Sequence, residues 1–299
     1  MSPVIELSVT EKLSQLGMEP DQSRWATLYD WAQLTALKHS QGQFSLGHWW
    51  RGPLLYSLVQ HYKPRHILEF GTGRGYGAIC MVQASLDAGF ECRLWTIDKI
   101  PPDQPQEWPI DEGNKPEIKQ LSLKQVWNQC LPKKLIDSIH CLTGDSRSVM
   151  KRWKQSGLPH IDFCFIDGEH DYWGVKHDLV STLQIANPNC SFLFDDYTER
   201  KGYGVRRLVD KEIAPQLSTE ALEIISTLSR DKTVFGEDVE HKMAFIRGEF
   251  IDSIVLNQLY SSMIRRYFHL RDAIHSAGTG FILELRELRN RVLRRQGGR

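Results

Sequence analysis

The stretch His66-Ile-Leu-Glu-Phe-Gly-Thr-Gly-Arg-Gly75 decides the fold. An apolar run of strand character, His66–Phe70, passes directly into glycines at 71, 73 and 75, and the segment Ala78–Ala88 that follows reads as a helix. Glycines at such a turn let the backbone approach a ligand closely, and the next helix offers N–H groups with no partner of their own. A tight strand-to-helix turn also occurs without any ligand, so the turn alone does not identify a site.

Outward from this stretch, short apolar runs alternate with helical segments, the pattern of a parallel sheet covered by helices. Strands are expected at His66–Phe70, Arg93–Asp98, Ile139–Thr143, Ile161–Ile166, Ser191–Phe194, Leu222–Ser226 and Met243–Arg247. The last two fall near the end of the domain and suit an antiparallel pair added to a parallel sheet. The fold class is therefore α/β, a Rossmann-like seven-stranded sheet with extra N- and C-terminal helices.

Three regions follow. Residues 1–62 read as an N-terminal helical cap, with Trp25, Leu28, Trp31, Leu34 and Leu37 at three-residue steps and a second apolar stretch from Trp49 to Tyr62. Residues 63–249 form the core domain. They include an insertion at about 99–131, rich in Pro, Gln and Asp, which is either a functional lid or a disordered excursion. Residues 250–299 read as a basic amphipathic helical extension: positions 262–299 hold nine arginines against three acids, and Phe281, Ile282, Leu285, Leu288 and Val292 form an apolar stripe.

Composition narrows the classes of function. Lys+Arg and Asp+Glu are equal at 37 each in 299 residues, so no global charge draws the chain to nucleic acid or to an acidic membrane. The six cysteines are scattered without a C-x-x-C pair, as expected in a reducing compartment. No apolar run is long enough to span a membrane, and Met1-Ser-Pro-Val-Ile-Glu lacks the basic-then-apolar start of a secretory signal, so the expected location is cytoplasmic.

The ligand class follows from the spacing. A dinucleotide fingerprint places its third glycine where Tyr76 stands, whereas this chain has Gly75, which disfavours a nicotinamide oxidoreductase. An anionic pyrophosphate wants a bare helix N-terminus, while a cationic sulfonium donor with an amino-acid end is compatible with an acid at Glu69. Asp98 ends the second strand, where a carboxylate can accept from both ribose hydroxyls. Gly144-Asp145-Ser146 ends the third, where Asp145 can meet an adenine amino group, although Gly-Asp-Ser in isolation is more often a plain turn or helix cap. Three acidic strand ends at the ligand-binding edge of an open α/β sheet point together to S-adenosylmethionine, with Glu69, Gly71, Thr72, Gly73, Gly75, Asp98, Asp145, Ser146 and Asp167 as candidate cofactor-binding residues.

Further on stand Phe163-Cys-Phe-Ile-Asp167-Gly-Glu-His170-Asp-Tyr172, Phe192-Leu-Phe-Asp195-Asp196-Tyr197 and Gly204-Val-Arg-Arg-Leu-Val-Asp210. With the E-x-G-T-x-x-G of the glycine turn, these motifs make the stretch from about His66 to Asp210 resemble the class I O-methyltransferases, among them the macrocin-type sugar methyltransferases and, more distantly, the catechol methyltransferases. The resemblance implies a class I methyltransferase sheet, the S-adenosylmethionine cofactor and methyl transfer to a hydroxyl of a small molecule, a sugar or specialised metabolite. It also implies a divalent ion, Mg²⁺ or Mn²⁺, held by Asp167, Asp195 and Asp196, and His170 as general base. Oxygen-only ligands suit such ions, and an ion lowers the pKa of a bound oxygen. Asp195-Asp196 departs from relatives that carry Glu or Asn at one of these two positions; such a pair also serves as loop caps elsewhere, and a histidine at a helix start can be structural.

Trp49, Trp50, Trp108, Tyr172, Trp173 and Tyr203 are candidates to line the acceptor pocket. No nucleic-acid partner is expected. The terminal helices are expected to serve packing or a homo-oligomer rather than a membrane surface. The alternative reading is a donor-binding interaction protein whose basic C-terminal helix meets a partner or an anionic membrane face.

Overall fold

A computed structural model of the chain describes residues 5–18, 22–38, 44–45, 49–111, 116–229 and 239–264. The elements in order are β1 (Ile5–Ser8), α1 (Val9–Gln15), α2 (Gln22–Leu34), β2 (Leu37–Lys38), β3 (Phe44–Ser45), α3 (Arg51–Tyr62), β4 (His66–Phe70), α4 (Tyr76–Asp87) and β5 (Arg93–Asp98). Then follow β6 (Pro105–Asp111), β7 (Pro116–Ser122), α5 (Leu123–Cys130), α6 (Lys133–Ile136), β8 (Ile139–Thr143), α7 (Ser146–Trp153), β9 (Ile161–Ile166), α8 (Tyr172–Leu183), β10 (Ala186–Phe194), α9 (Val205–Leu208), β11 (Leu222–Ser229) and β12 (Val239–Ile246).

One sheet organises the molecule, in the order β1-β11-β12-β10-β9-β4-β5-β8. The run from β10 through β9, β4 and β5 to β8 is parallel, and β12 lies antiparallel to both β10 and β11. The sheet doubles back between β4 and β9, the switch point at which open α/β sheets hold ligands. This is a Rossmann-like arrangement containing the seven expected strands, with β1 as an eighth that pairs parallel to β11. The N-terminal region expected to be a helical cap thus opens with a strand.

Alternation along the strands explains both cores. Ile67, Leu94, Phe163 and Phe165 face α3 and α4, while Leu68, Phe70, Cys164 and Ile166 face α7 and α8. Both faces are covered, so the central strands are largely apolar, with Glu69 on β4 and Thr96 on β5 as buried exceptions, which is why they are visible as short apolar runs. Each buried Leu or Phe contributes about 1.5–3 kcal/mol.

The helical segment 253–264 continues the second core, burying Leu256, Leu259 and Met263 at helical spacing. The apolar stripe and all nine arginines of the expected basic tail lie outside the described residues. No helix among the described residues is long and apolar enough to cross a membrane.

Two strands differ in extent from their sequence patterns. β10 starts at Ala186, earlier than expected, because Asn187-Pro188-Asn189 reads as a turn; the ladder to β9 shifts register between Ala186 and Ser191, and Asn189 takes φ 68°. β12 reaches back to Val239 because the polar pair His241 and Lys242 continues the ladder opposite Thr227 and Ser226.

The N-terminus is fastened by local chemistry. Ser8 and Glu11 form a capping box: the Ser8 hydroxyl accepts from the Glu11 N–H at 3.2 Å and the Ser8 N–H donates to the Glu11 carboxylate at 2.7 Å. Lys12 on α1 then pairs with Glu223 on β11 at 2.6 Å, each side chain only 3 % exposed. Removing one partner of such a pair leaves a buried charge and costs roughly 3–5 kcal/mol; Arg247, 3.7 Å from Glu223, softens the loss. Lys12→Met is expected to lower the denaturant midpoint clearly, and Lys12→Met with Glu223→Leu to recover most of it. Equal midpoints for Lys12→Met and the wild type would show that the pair contributes nothing.

Candidate functional site

The glycine turn lies at the carboxyl edge of β4. Gly71 takes φ 86°, and a Cβ there would collide with the Asp167 carbonyl, so the loop closes onto the end of β9 only because position 71 has no side chain. Gly75 also has φ 86° and caps α4, with the Trp127 indole where a Cβ would stand.

Asp98 is set against this loop with both carboxylate oxygens pinned: one accepts from the Gly73 N–H and the other from the Ile100 N–H, each at 2.8 Å. Thr72, Gly73, Asp98, Ile100 and Leu142 line a cleft here, together with Pro101 and Gln106 from the insertion. The expected cofactor residues Thr72, Gly73 and Asp98 therefore share one wall, flanked by the turns at Gly71 and Gly75.

Glu69 is placed differently. It is 1 % exposed and lies beneath the loop against α4, where a Cβ on Gly77 would strike it. The Thr96 hydroxyl donates to it at 2.6 Å, and Thr72 and Thr96 share a 2.6 Å hydrogen bond, so a hydroxyl chain connects the cleft wall to the buried acid. Burial pushes its pKa up to about 8, against the opposing effect of the Thr96 hydrogen bond. Asp145 accepts from the Arg147 N–H at 2.9 Å at the start of α7, and the Ser146 hydroxyl donates to Asp178 at 2.7 Å. Asp145 thus serves the local turn, while Ser146 ties the start of α7 to α8.

The insertion is a folded element rather than a bare loop. β6 and β7 form an antiparallel hairpin, and the buried Trp108 donates from its indole to the Leu121 carbonyl at 2.9 Å. Arg74 ties it down: one guanidinium nitrogen donates to the Ala36 carbonyl at 2.6 Å, another to the Glu107 carbonyl at 2.5 Å, and the group lies 4.7 Å from the Trp108 ring. Trp108, considered for the acceptor pocket, is instead part of this packing.

A second constellation gathers beside the first. Asp167 directly follows β9, Asp195 and Asp196 follow β10, and His170 sits in the loop before α8. His170 Nδ1 lies 2.9 Å from Asp196, its ring stacks on Tyr203 at 5.2 Å and 24°, and its carbonyl accepts from the Gly204 N–H at 2.7 Å. The hydrogen bond to Asp196 raises the His170 pKa against the opposing effect of burial.

Two residues absent from the sequence reading complete the group. His241 on β12 places Nε2 2.5 Å from Asp195 and Nδ1 3.7 Å from Asp196. Arg51, the first residue of α3, bonds Asp167 at 2.5 Å and also bonds Asp195, both through Nη1. Burial holds Asp167 well above the usual carboxylate range although Arg51 opposes it. Arg51 was discernible only as a lone charge at the head of an apolar run; His241 had no signal until β12 was seen to extend that far.

The expected ion ligands are affected directly. Arg51 lies between two of the three, Asp167 and Asp195. Among the described residues, the donor atoms that lie within 4.8 Å of one another form two mixed sets, Asp167-His170-Asp196 and Asp195-Asp196-His241. The oxygen-only trio does not fit a divalent ion while the guanidinium is seated, and imidazole nitrogens suit Mg²⁺ poorly.

Residues 68–197 match the family described as a methyltransferase domain. The match runs from the middle of β4 to just past Asp196. No curated protein matches the sequence. Among solved structures, an O-methyltransferase from Bacillus cereus in complex with SAH is 16 % identical, with 79 % of this chain and 96 % of that chain covered and a TM-score of 0.49. The O-methyltransferase TomG from Streptomyces achromogenes, involved in tomaymycin synthesis and solved with SAM, is 16 % identical, with 77 % and 100 % covered and a TM-score of 0.46.

Because the folded-state pKa of Glu69 lies above its ordinary value, the stability it contributes is complete below about pH 4.5 and is lost as pH rises toward 8. Chemical melts from pH 5 to 8 should show the wild type losing up to about 1.4 kcal/mol per pH unit relative to Glu69→Gln, which cannot ionise. Parallel profiles would mean that Glu69 is ionised in the fold.

Proposed function

We propose that this chain is an S-adenosylmethionine-dependent O-methyltransferase acting on a hydroxyl of a small molecule, a sugar or specialised metabolite, with His170 as general base. The observation that carries the reading is the Asp196–His170 pair at 2.9 Å, beside a cleft whose wall is Gly73 and Asp98. Asp98, pinned by two backbone N–H groups, keeps further lone pairs for the ribose hydroxyls. The turns at Gly71 and Gly75 let the backbone lie close to the methionine end, with Glu69 supporting the loop from below. Asp145, Ser146 and Asp167 stand at neighbouring strand ends on the same edge.

An Asp196 carboxylate accepting from Nδ1–H leaves the lone pair of His170 on Nε2. In the transfer, an oxygen lone pair of the acceptor attacks the sulfonium methyl carbon and the carbon–sulfur bond breaks. Its electrons pass to sulfur, giving the neutral thioether, and the hydroxyl proton passes to Nε2. Holding the methyl in line with the oxygen supplies most of the acceleration, since effective molarities of about 10⁵–10⁸ M are reachable; the base adds about 10²–10⁴-fold. A divalent ion would supply further activation of the oxygen, but the carboxylates expected to hold it do not fit one as arranged, and no step here needs it.

Asp98→Ala is expected to abolish donor binding by calorimetry. His170→Asn should leave donor affinity intact while lowering methyl transfer from labelled donor to a panel of sugars and phenols by about 10²–10⁴-fold. Unchanged donor affinity in Asp98→Ala would overturn the cofactor assignment, and full turnover in His170→Asn would overturn the base.

A further inference from the structure

We infer that Arg51 is the resident cation of the carboxylate cluster, holding Asp167 and Asp195 in the place where related chemistry puts a divalent ion, so that this site works without one. The inference rests on the reading above of this edge as the acceptor site. It makes Arg51 a positioning residue acting through the two carboxylates.

The geometry is specific. A single guanidinium nitrogen, Nη1, bonds both Asp167 and Asp195, and the side chains involved are 13 %, 17 % and 3 % exposed. Arginine does not lose its proton in proteins, so this charge is permanent. Any ion entering between the two carboxylates would have to expel a buried guanidinium and shed much of its own hydration, and Mg²⁺ in particular dehydrates reluctantly.

Nor is the arginine free to withdraw easily. It begins a helix whose next residue, Gly52, lies so close to Tyr76 and Cys80 that a Cβ there would overlap both. The Tyr76 hydroxyl donates to the Trp49 carbonyl at 2.7 Å, fixing the chain just before Arg51. The guanidinium also lies 5.8 Å from the centre of the Phe165 ring on β9. The backbone on either side of Arg51 is thus built to deliver this side chain to the strand ends.

The other carboxylates are accounted for from within the chain as well. Asp195 meets His241 at 2.5 Å through its second oxygen, and Asp196 meets His170 at 2.9 Å. Three acids are therefore answered by one guanidinium and two imidazoles. The cluster does not present three oxygens converging on an open centre, the arrangement an oxygen-preferring ion requires.

The test is Mn²⁺ binding, followed by the paramagnetic signal of the free ion, on the full chain and on Arg51→Gln. The expected result is no stoichiometric uptake by the wild type and about one Mn²⁺ per chain in Arg51→Gln, whose melting temperature then rises with Mn²⁺ while that of the wild type does not. Arg51→Lys, which keeps the charge, should remain folded and without uptake, and it carries the test if Arg51→Gln does not fold. Retention by Arg51→Lys of the ion-free behaviour would separate the effect of the charge from that of mere packing.

Wild-type uptake of one Mn²⁺ per chain that is lost in Asp195→Asn would overturn the inference, as would a folded Arg51→Gln that gains no ion. Calorimetry with S-adenosylhomocysteine separates this from the functional reading. Absent donor binding with the expected Mn²⁺ pattern would defeat the methyltransferase reading alone, and normal donor binding with wild-type Mn²⁺ uptake would defeat the Arg51 inference alone.

Discussion

The contact of the Gly71 backbone with the Asp167 carbonyl is the constraint on which the rest of the molecule turns. It lies at the switch point between β4 and β9, and because position 71 has no Cβ the two strand ends can close on each other. On one side of this seam lies the cleft of Gly73 and Asp98; on the other lies the group of Asp167, His170, Asp195, Asp196 and His241. The two halves of the proposed chemistry are adjacent because one glycine allows it.

Charge is then managed by helices and strands that arrive from elsewhere. Arg51 comes from α3, ahead of the sheet's central strand in sequence, and His241 from β12, near its end. Both are delivered by elements that also build the core: α3 buries Leu54, Leu55, Leu58 and Val59, and β12 buries Met243 and Phe245. The polar centre is therefore rigid for apolar reasons. Arg74 does the same for the cleft, joining the segment after α2, the glycine turn and the β6–β7 hairpin through two carbonyls and one indole.

Much of this was legible in the residues. β4, β5, β8 and β9 occupy the stretches that their apolar runs mark; β4, β5 and β9 are covered on both faces, while β8 is the edge of the sheet. The start of β10 was hidden by Asn187-Pro188-Asn189, which makes a register shift in place of a turn. β6 and β7 were hidden by their prolines, and β1 by its four-residue length. The acids at strand ends could be named from their positions, since parallel strands place their carboxyl ends on one edge. What could not be read was environment: that Glu69 is buried beneath its loop, that Ser146 turns to Asp178, and that Arg51 and His241 reach the acids. Such contacts depend on packing between elements remote in sequence, on which a local pattern carries no information.

The pairing of β1 with β11 joins Ile5 to Glu223. On a ribosome, the first strand of the sheet emerges long before its partner exists, and α1 carries Lys12 with no acid to meet. Closing so long a loop is entropically slow. Until then β1 is an unpaired strand edge of the kind that attracts other chains, and the Ser8–Glu11 cap, satisfied within a single turn, is a contact of this segment that needs nothing from β11.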